Sequence, residues 1–126
     1  MTEPAFGADL LVRLRDDIEV DIETRATADA PSHRTTVWVV VDARDRVLIR
    51  SYRGAGARWY RDAMSGSPAA LVIGDEMVPV AVEHARDDER IRACSVELER
   101  KYAGDPATPA MVRDDVLDTT LELHPA

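Results

Sequence analysis

The chain has 126 residues, enough for one domain, and its 24 acidic residues outnumber its 16 basic ones, for a net charge of −8 and a pI near 4.8. That balance argues against a nucleic-acid binder, which needs a basic face, and against a peripheral protein held by anionic lipid. With 45% hydrophobic residues the chain can bury a core without a disulfide or structural metal, and its one cysteine, Cys94, has no partner to bridge.

No apolar run reaches the length of a membrane span, and the opening MTEPAFGADLL carries no secretory signal, so a soluble cytoplasmic protein is expected. Residues 1–8 are small, polar or proline-bearing and are expected to fray. Leu10, Leu11 and Leu14 follow at helical spacing over a very short segment. From Ile18 to Thr24 apolar and acidic residues alternate, the pattern of a strand with one buried face. The acids of that stretch read as its solvated side.

Ala30-Pro31-Ser32 marks a turn, and Thr35–Asp42 (TTVWVVVD) is the strongest strand. Its unbroken Val39-Val40-Val41 run predicts burial on both faces, with Trp38 and Val40 as core residues of a central strand. A loop at Asp42–Asp45 and a returning strand from Arg46 to Arg53 complete a hairpin. Gly54-Ala55-Gly56 breaks the pattern, and Arg58–Met64 forms about two helical turns before Ser65-Gly66-Ser67-Pro68. Ala69–Ile73 and Met77–Glu83 read as a second hairpin, with Pro79 placing its strand at an edge or bulge.

The clearest helix is Asp87–Tyr102, with Ile91, Cys94, Leu98 and Tyr102 forming one stripe. Acids lead it and Arg100 and Lys101 close it, as the helix dipole favours, and Gly104 is placed as its cap. Val116–Leu123 is the last strand. The fold class expected is mainly β: a six-stranded antiparallel barrel, at least partly closed, with one short and one long helix in a single domain.

Charge is unevenly spread. Between Arg34 and Arg61 seven arginines face only Asp42 and Asp45, while the rest of the chain is strongly acidic. Guanidinium groups pair bidentately with phosphate or carboxylate. Ser51, the Gly54 and Gly56 backbone and the start of the helix near Arg58 could add donors, which suggests a small-anion site where strand turns to helix. The alternative is that these arginines form surface ion pairs with the acidic remainder. His33, His84 and His124 form no spaced metal motif, and no metal is expected. Cys94 reads as a buried, inert thiol.

Three segments together resemble a known family. Arg34-Thr35-Thr36-Val37-Trp38-Val39-Val40-Val41-Asp42, Arg50-Ser51-Tyr52-Arg53-Gly54 and Arg58-Trp59-Tyr60-Arg61-Asp62 are similar to the split β-barrel flavin and deazaflavin oxidoreductases, above all the deazaflavin-dependent nitroreductase branch. From about Ile18 to Pro125 the chain also resembles a small bacterial family of unknown function. The resemblance implies a six-stranded split barrel, a homodimer with sites at the subunit interface, and FMN or a deazaflavin as cofactor. It would set Arg34, Thr35 and Thr36 along the ring. Ser51, Arg53 and Gly54 would meet the phosphate, helped by Arg58, and Trp59 and Tyr60 would flank the ring or brace the loop.

Thr36 stands where that family has proline, and Asp62 where it has asparagine. An ionised Asp62 accepts hydrogen bonds but donates none. Two functions follow as expectations: a dimeric oxidoreductase whose cofactor carries the hydride chemistry, or the same barrel as a non-redox small-ligand or interaction module.

Overall fold

The computed structural model describes residues 5–17 and 19–126. Helix α1 spans Ala8–Asp16 and buries Leu11 and Leu14, so the short leucine pattern is a real amphipathic helix. Phe6 packs against the same core. Residues 1–4 of the stretch expected to fray, and Ile18 at the start of the first expected strand, lie outside the described residues. Among the described residues no helix is long and apolar enough to cross a membrane.

Seven strands follow: β1 Val20–Thr24, β2 His33–Val37, β3 Val39–Val41, β4 Val47–Ile49, β5 Ala69–Ile73, β6 Glu76–His84 and β7 Leu121–Pro125. They form one sheet in the order β2-β1-β5-β6-β7-β4-β3, and all neighbours are antiparallel. The fold is α+β on a curled sheet, with seven strands where six were expected. The extra one arises at Trp38, which separates β2 from β3. A flat seven-stranded sheet would part its edges by roughly 29 Å, from about 4.8 Å per strand spacing. Here the two edge strands are consecutive in the chain with one residue between them. The sheet must therefore curl until its edges meet at Trp38. β3 is an edge strand, not a central one.

Curling creates two apolar compartments. The inner one gathers Ile22, Val37, Val39, Ile49, Leu71 and Leu121, with Leu14 of α1 and with Trp59 and Tyr60 of α2 (Arg58–Met64). The outer one joins Val40 and Leu48 to Cys94, Leu98, Tyr102 and Met111, under α3 (Asp88–Lys101) and α4 (Thr108–Met111). The valine run is thus buried on both faces because alternate residues serve different compartments. Trp38 stacks on Tyr102, with ring centroids 3.9 Å apart and planes 5° from parallel. The Asp87 side chain caps α3 by accepting the Arg90 N–H at 3.0 Å. Lys101, the chain's single lysine, ties three elements together: its Nζ donates to Leu14 O at 2.7 Å and Val39 O at 2.6 Å. Burial pulls its ammonium down to about 8.

Three expectations need correction. Asp114–Thr119 is a 3-10 helix, and the last strand begins only at Leu121. Tyr102, not Gly104, caps α3. Pro79 lies in β6, between β5 and β7, so that strand is not an edge. The Pro79 carbonyl accepts the Ala126 N–H at 3.2 Å, so its ring nitrogen, which cannot donate, faces the β7 side of the strand.

Cys94 is fully buried, and desolvation pushes its thiol up to about 11. Its nucleophilic thiolate is therefore scarce at neutral pH. In the native protein a disulfide reagent should label it only as the outer compartment opens, with the labelling midpoint in urea matching that of the circular-dichroism transition. Rapid stoichiometric labelling without denaturant would show that α3 does not seal this compartment.

Candidate functional site

Immediately after β4 the chain leaves the sheet through a tightly bonded turn. The Ser51 N–H donates to Thr119 Oγ1 at 3.0 Å, and its hydroxyl donates to the Gly54 carbonyl at 2.7 Å. The Gly54 N–H returns a bond to the Ser51 carbonyl at 3.1 Å. Gly54 holds φ +76°, and a side chain there would meet open space, so glycine is required by the backbone angle and not by crowding. Gly54–Gly56 then makes one 3-10 turn that delivers the chain to α2. α2 packs on β1, β2 and β6 and closes one end of the inner compartment with Trp59 and Tyr60, whose rings meet edge-to-face at 6.1 Å.

Beside this turn lies a groove of about 300 Å³, lined by Thr36, Trp38, Arg50, Tyr52, Trp59 and Met111 among others. Three aromatic side chains come from three segments: the β2–β3 junction, the turn after β4, and α2. Tyr52 is half exposed, so the groove opens to solvent along one wall. At its foot is Arg50, 1% exposed. Arg50 Nε donates to Thr120 Oγ1 at 2.9 Å, Nη1 to Ser95 Oγ at 2.8 Å and Met111 O at 3.0 Å, and Nη2 to Ile91 O at 2.9 Å. Every acceptor is neutral. Burial lowers its pKa, yet a guanidinium stays protonated in protein, so the groove is built over a fixed positive charge.

The residues expected to form the site divide. Thr36 and Trp59 line the groove. Ser51 is wholly buried and spends its only hydroxyl proton on Gly54, so in this structure it is a turn-former and not a phosphate donor. Arg34 is exposed and pairs with Glu23 at 3.2 Å across β1 and β2. Thr35 is half-buried, and Thr36 Oγ1 donates to Asp21 Oδ1 at 2.8 Å. Tyr60 belongs to the inner core. Arg53 and Arg58 are exposed and, among the described residues, make no hydrogen bond or ion pair. Arg58 lines a different cleft, between α2 and the β1–β2 connection.

The basic cluster splits in the same way. Arg46 Nε bonds Asp42 Oδ2 at 2.7 Å, its guanidinium also pairs with Glu89, and Arg44 lies 3.6 Å from the same Glu89, so Arg34, Arg44 and Arg46 fit the ion-pair reading. Arg50, Arg53, Arg58 and Arg61 do not. Sequence reasoning counted Arg50 in the cluster without seeing that it is buried. The one available signal was a charged residue sharing a face with Leu48.

One group among the described residues has the makings of a cation site. His124 Nε2 lies 2.8 Å from Glu83 and 3.6 Å from Glu122 on paired strands. Arg90 bridges both carboxylates at 3.0 and 2.9 Å and supplies their positive partner. The hydrogen bond from His124, followed by Arg90, holds the Glu83 carboxyl below its usual range.

A family model described as an uncharacterized protein conserved in bacteria (DUF2255) matches residues 10–123. No curated protein matches the chain. Among solved structures, the conserved hypothetical protein Rv2991 of Mycobacterium tuberculosis is similar over 100% of this chain and 83% of its own, with a TM-score of 0.65 and 12% identity. HutZ, described as the heme storage protein of Vibrio cholerae, is similar over 97% and 91%, at TM-score 0.63 and 11% identity. Campylobacter jejuni ChuZ is similar over 93% of this chain, which spans about half (51%) of ChuZ, at TM-score 0.70 and 10% identity. These likenesses show a shared fold.

Proposed function

The chain belongs to the DUF2255 family of uncharacterized bacterial proteins, and on that premise we propose that it is a ligand-binding split barrel whose groove takes the ring of FMN or a deazaflavin. The observation that carries this reading is the aromatic groove built over Arg50, a buried cation with no carboxylate partner among the described residues. About 300 Å³ is the lower end of small-molecule cavities. It accommodates a fused ring, leaving a phosphate-bearing tail to run outside along the turn. Trp38, Tyr52 and Trp59 supply faces for stacking, Arg50 favours electron-rich or anionic ring edges, and exposed Arg53 offers the phosphate a charged donor. A second copy of the chain would cover the open Tyr52 wall, in keeping with a homodimer. The bound flavin would supply hydride chemistry. The chain would orient the ring and exclude water, with no side chain acting as a dedicated acid or base.

HutZ is named for heme, which makes heme the rival ligand. A porphyrin is larger than this groove, and no histidine lines it. The test is a set of titrations of the purified dimer with FMN, a deazaflavin and hemin, followed by absorbance. FMN or the deazaflavin should bind, and Arg53→Ala should weaken binding about tenfold, the worth of one charge-assisted phosphate contact, with the dimer intact on gel filtration. A protein that takes up neither would favour the non-redox module, and hemin binding alone would replace the flavin reading.

A further inference from the structure

A second cleft, of about 430 Å³, opens between α2 and the β1–β2 connection. Ala26 and Pro31 come from the connection, His33 from β2, and Arg58, Arg61 and Asp62 from α2. It shares no lining residue with the aromatic groove. Its charged groups are present but not paired. Among the described residues neither Arg58 nor Arg61 makes a hydrogen bond or ion pair, and the Asp62 carboxylate accepts none.

For the two exposed arginines that is ordinary, since water solvates them. Asp62 differs, because the residue is only 8% exposed and no protein donor reaches its carboxylate among the described residues, so its oxygens are left to the water of the cleft. A carboxylate on so largely buried a residue commonly finds a protein donor, and here cleft water, which a ligand's donor can replace, takes that place. Arg58 lies one helical turn before it, a spacing at which opposite charges commonly pair, yet they do not. The one fully buried side-chain polar atom without a partner among the described residues is Thr24 Oγ1. Thr24 is paired with His33 across β1 and β2. Thr24 Oγ1 thus adds a second polar group without a protein partner at this end of the sheet.

We propose that this cleft binds a small zwitterion, a phosphomonoester that also carries a primary ammonium group. The ammonium meets the Asp62 carboxylate, and the phosphate meets Arg58 and Arg61, with His33 as a further donor. Acid and bases held apart serve opposite ends of one ligand and need not neutralise each other. Three donor side chains suit a dianionic phosphate better than a carboxylate.

The probe is O-phosphoethanolamine, titrated calorimetrically into the native protein beside inorganic phosphate and ethylamine. It should bind at least tenfold more tightly than phosphate, with ethylamine undetected. Asp62→Asn, a near-isosteric change, should erase that tenfold advantage while leaving phosphate binding equal or tighter. Arg61→Gln, at an exposed position that does not threaten folding, should weaken both phosphate compounds. Equal affinity for phosphoethanolamine and phosphate, or an advantage that survives Asp62→Asn, overturns the proposal. So does sedimentation with phosphatidylethanolamine vesicles in place of binding to the free compound. Because the groove is lined by other residues, failure of flavin to bind leaves this test untouched, and the reverse also holds.

Discussion

Arg50→Met is expected to lower the unfolding free energy by about 2–5 kcal/mol, the cost of taking the donor from several buried neutral acceptors at once. Methionine is of similar length and apolar, so it fills much of the space but donates nothing. Thr120 Oγ1 and Ser95 Oγ can turn their hydroxyls elsewhere. The Met111 and Ile91 carbonyls lose a donor inside the protein, at about 1–3 kcal/mol for each group left unsatisfied. Arg50 joins β4 to α3, to the end of α4 and to the residue before β7, so its loss loosens three connections together. Lysine should not restore stability, because one ammonium cannot reproduce four bonds spread over a planar fork. Urea unfolding followed by circular dichroism measures the difference. A methionine variant as stable as the wild type would mean that desolvating the guanidinium costs as much as its bonds return, and Arg50 would then be kept for the groove alone.

Leu98→Ala should be nearly as damaging, at about 2–5 kcal/mol, for a different reason. Leu98 is fully buried in the outer compartment with Val40, Leu48, Cys94, Tyr102 and Met111. Truncating it removes apolar contact and leaves a cavity that a rigid sheet on one side cannot collapse to fill. Val96, two residues away on the same helix, is 55% exposed, and Val96→Ala should change stability by no more than about 0.5 kcal/mol. The urea midpoint for labelling Cys94 should fall in step with the Leu98→Ala transition. Equal effects at positions 96 and 98 would show that α3 is not packed as described.

Helices α2 and α3 were legible because their signals are local. A run of polar and aromatic residues bounded by glycine turns defined Arg58–Met64, and a stripe with charged ends defined Asp88–Lys101 to within one residue. The alternation of β1 and the β5–β6 hairpin were equally plain. The break at Trp38 was not, since TTVWVVVD is uniformly strand-forming. It occurs because a continuous strand cannot serve both edges of a curled sheet without a bend. Val116 looked like strand and became a 3-10 turn for a similar reason: the chain must pass under Arg50 and Ser51, where Thr119 and Thr120 meet them, before it can pair with β4 and β6.

The candidate site shows the same division. The arginine excess, the glycine turn and the aromatic pair were visible as residue types at one stretch of chain. Which arginines were already paired was not, because Glu23 and Glu89 lie 11 and 43 residues from the side chains they meet. By itself the sequence determined the types of most elements, the valine run buried on both faces and the basic stretch, all of which are written in side-chain types and periodicity over a few residues. Only the tertiary structure decided the seventh strand, the burial of Arg50 beneath the groove and the stranded carboxylate of Asp62. These depend on which distant segments the curled sheet brings together, and burial and electrostatic pairing are properties of that assembly and not of any local stretch.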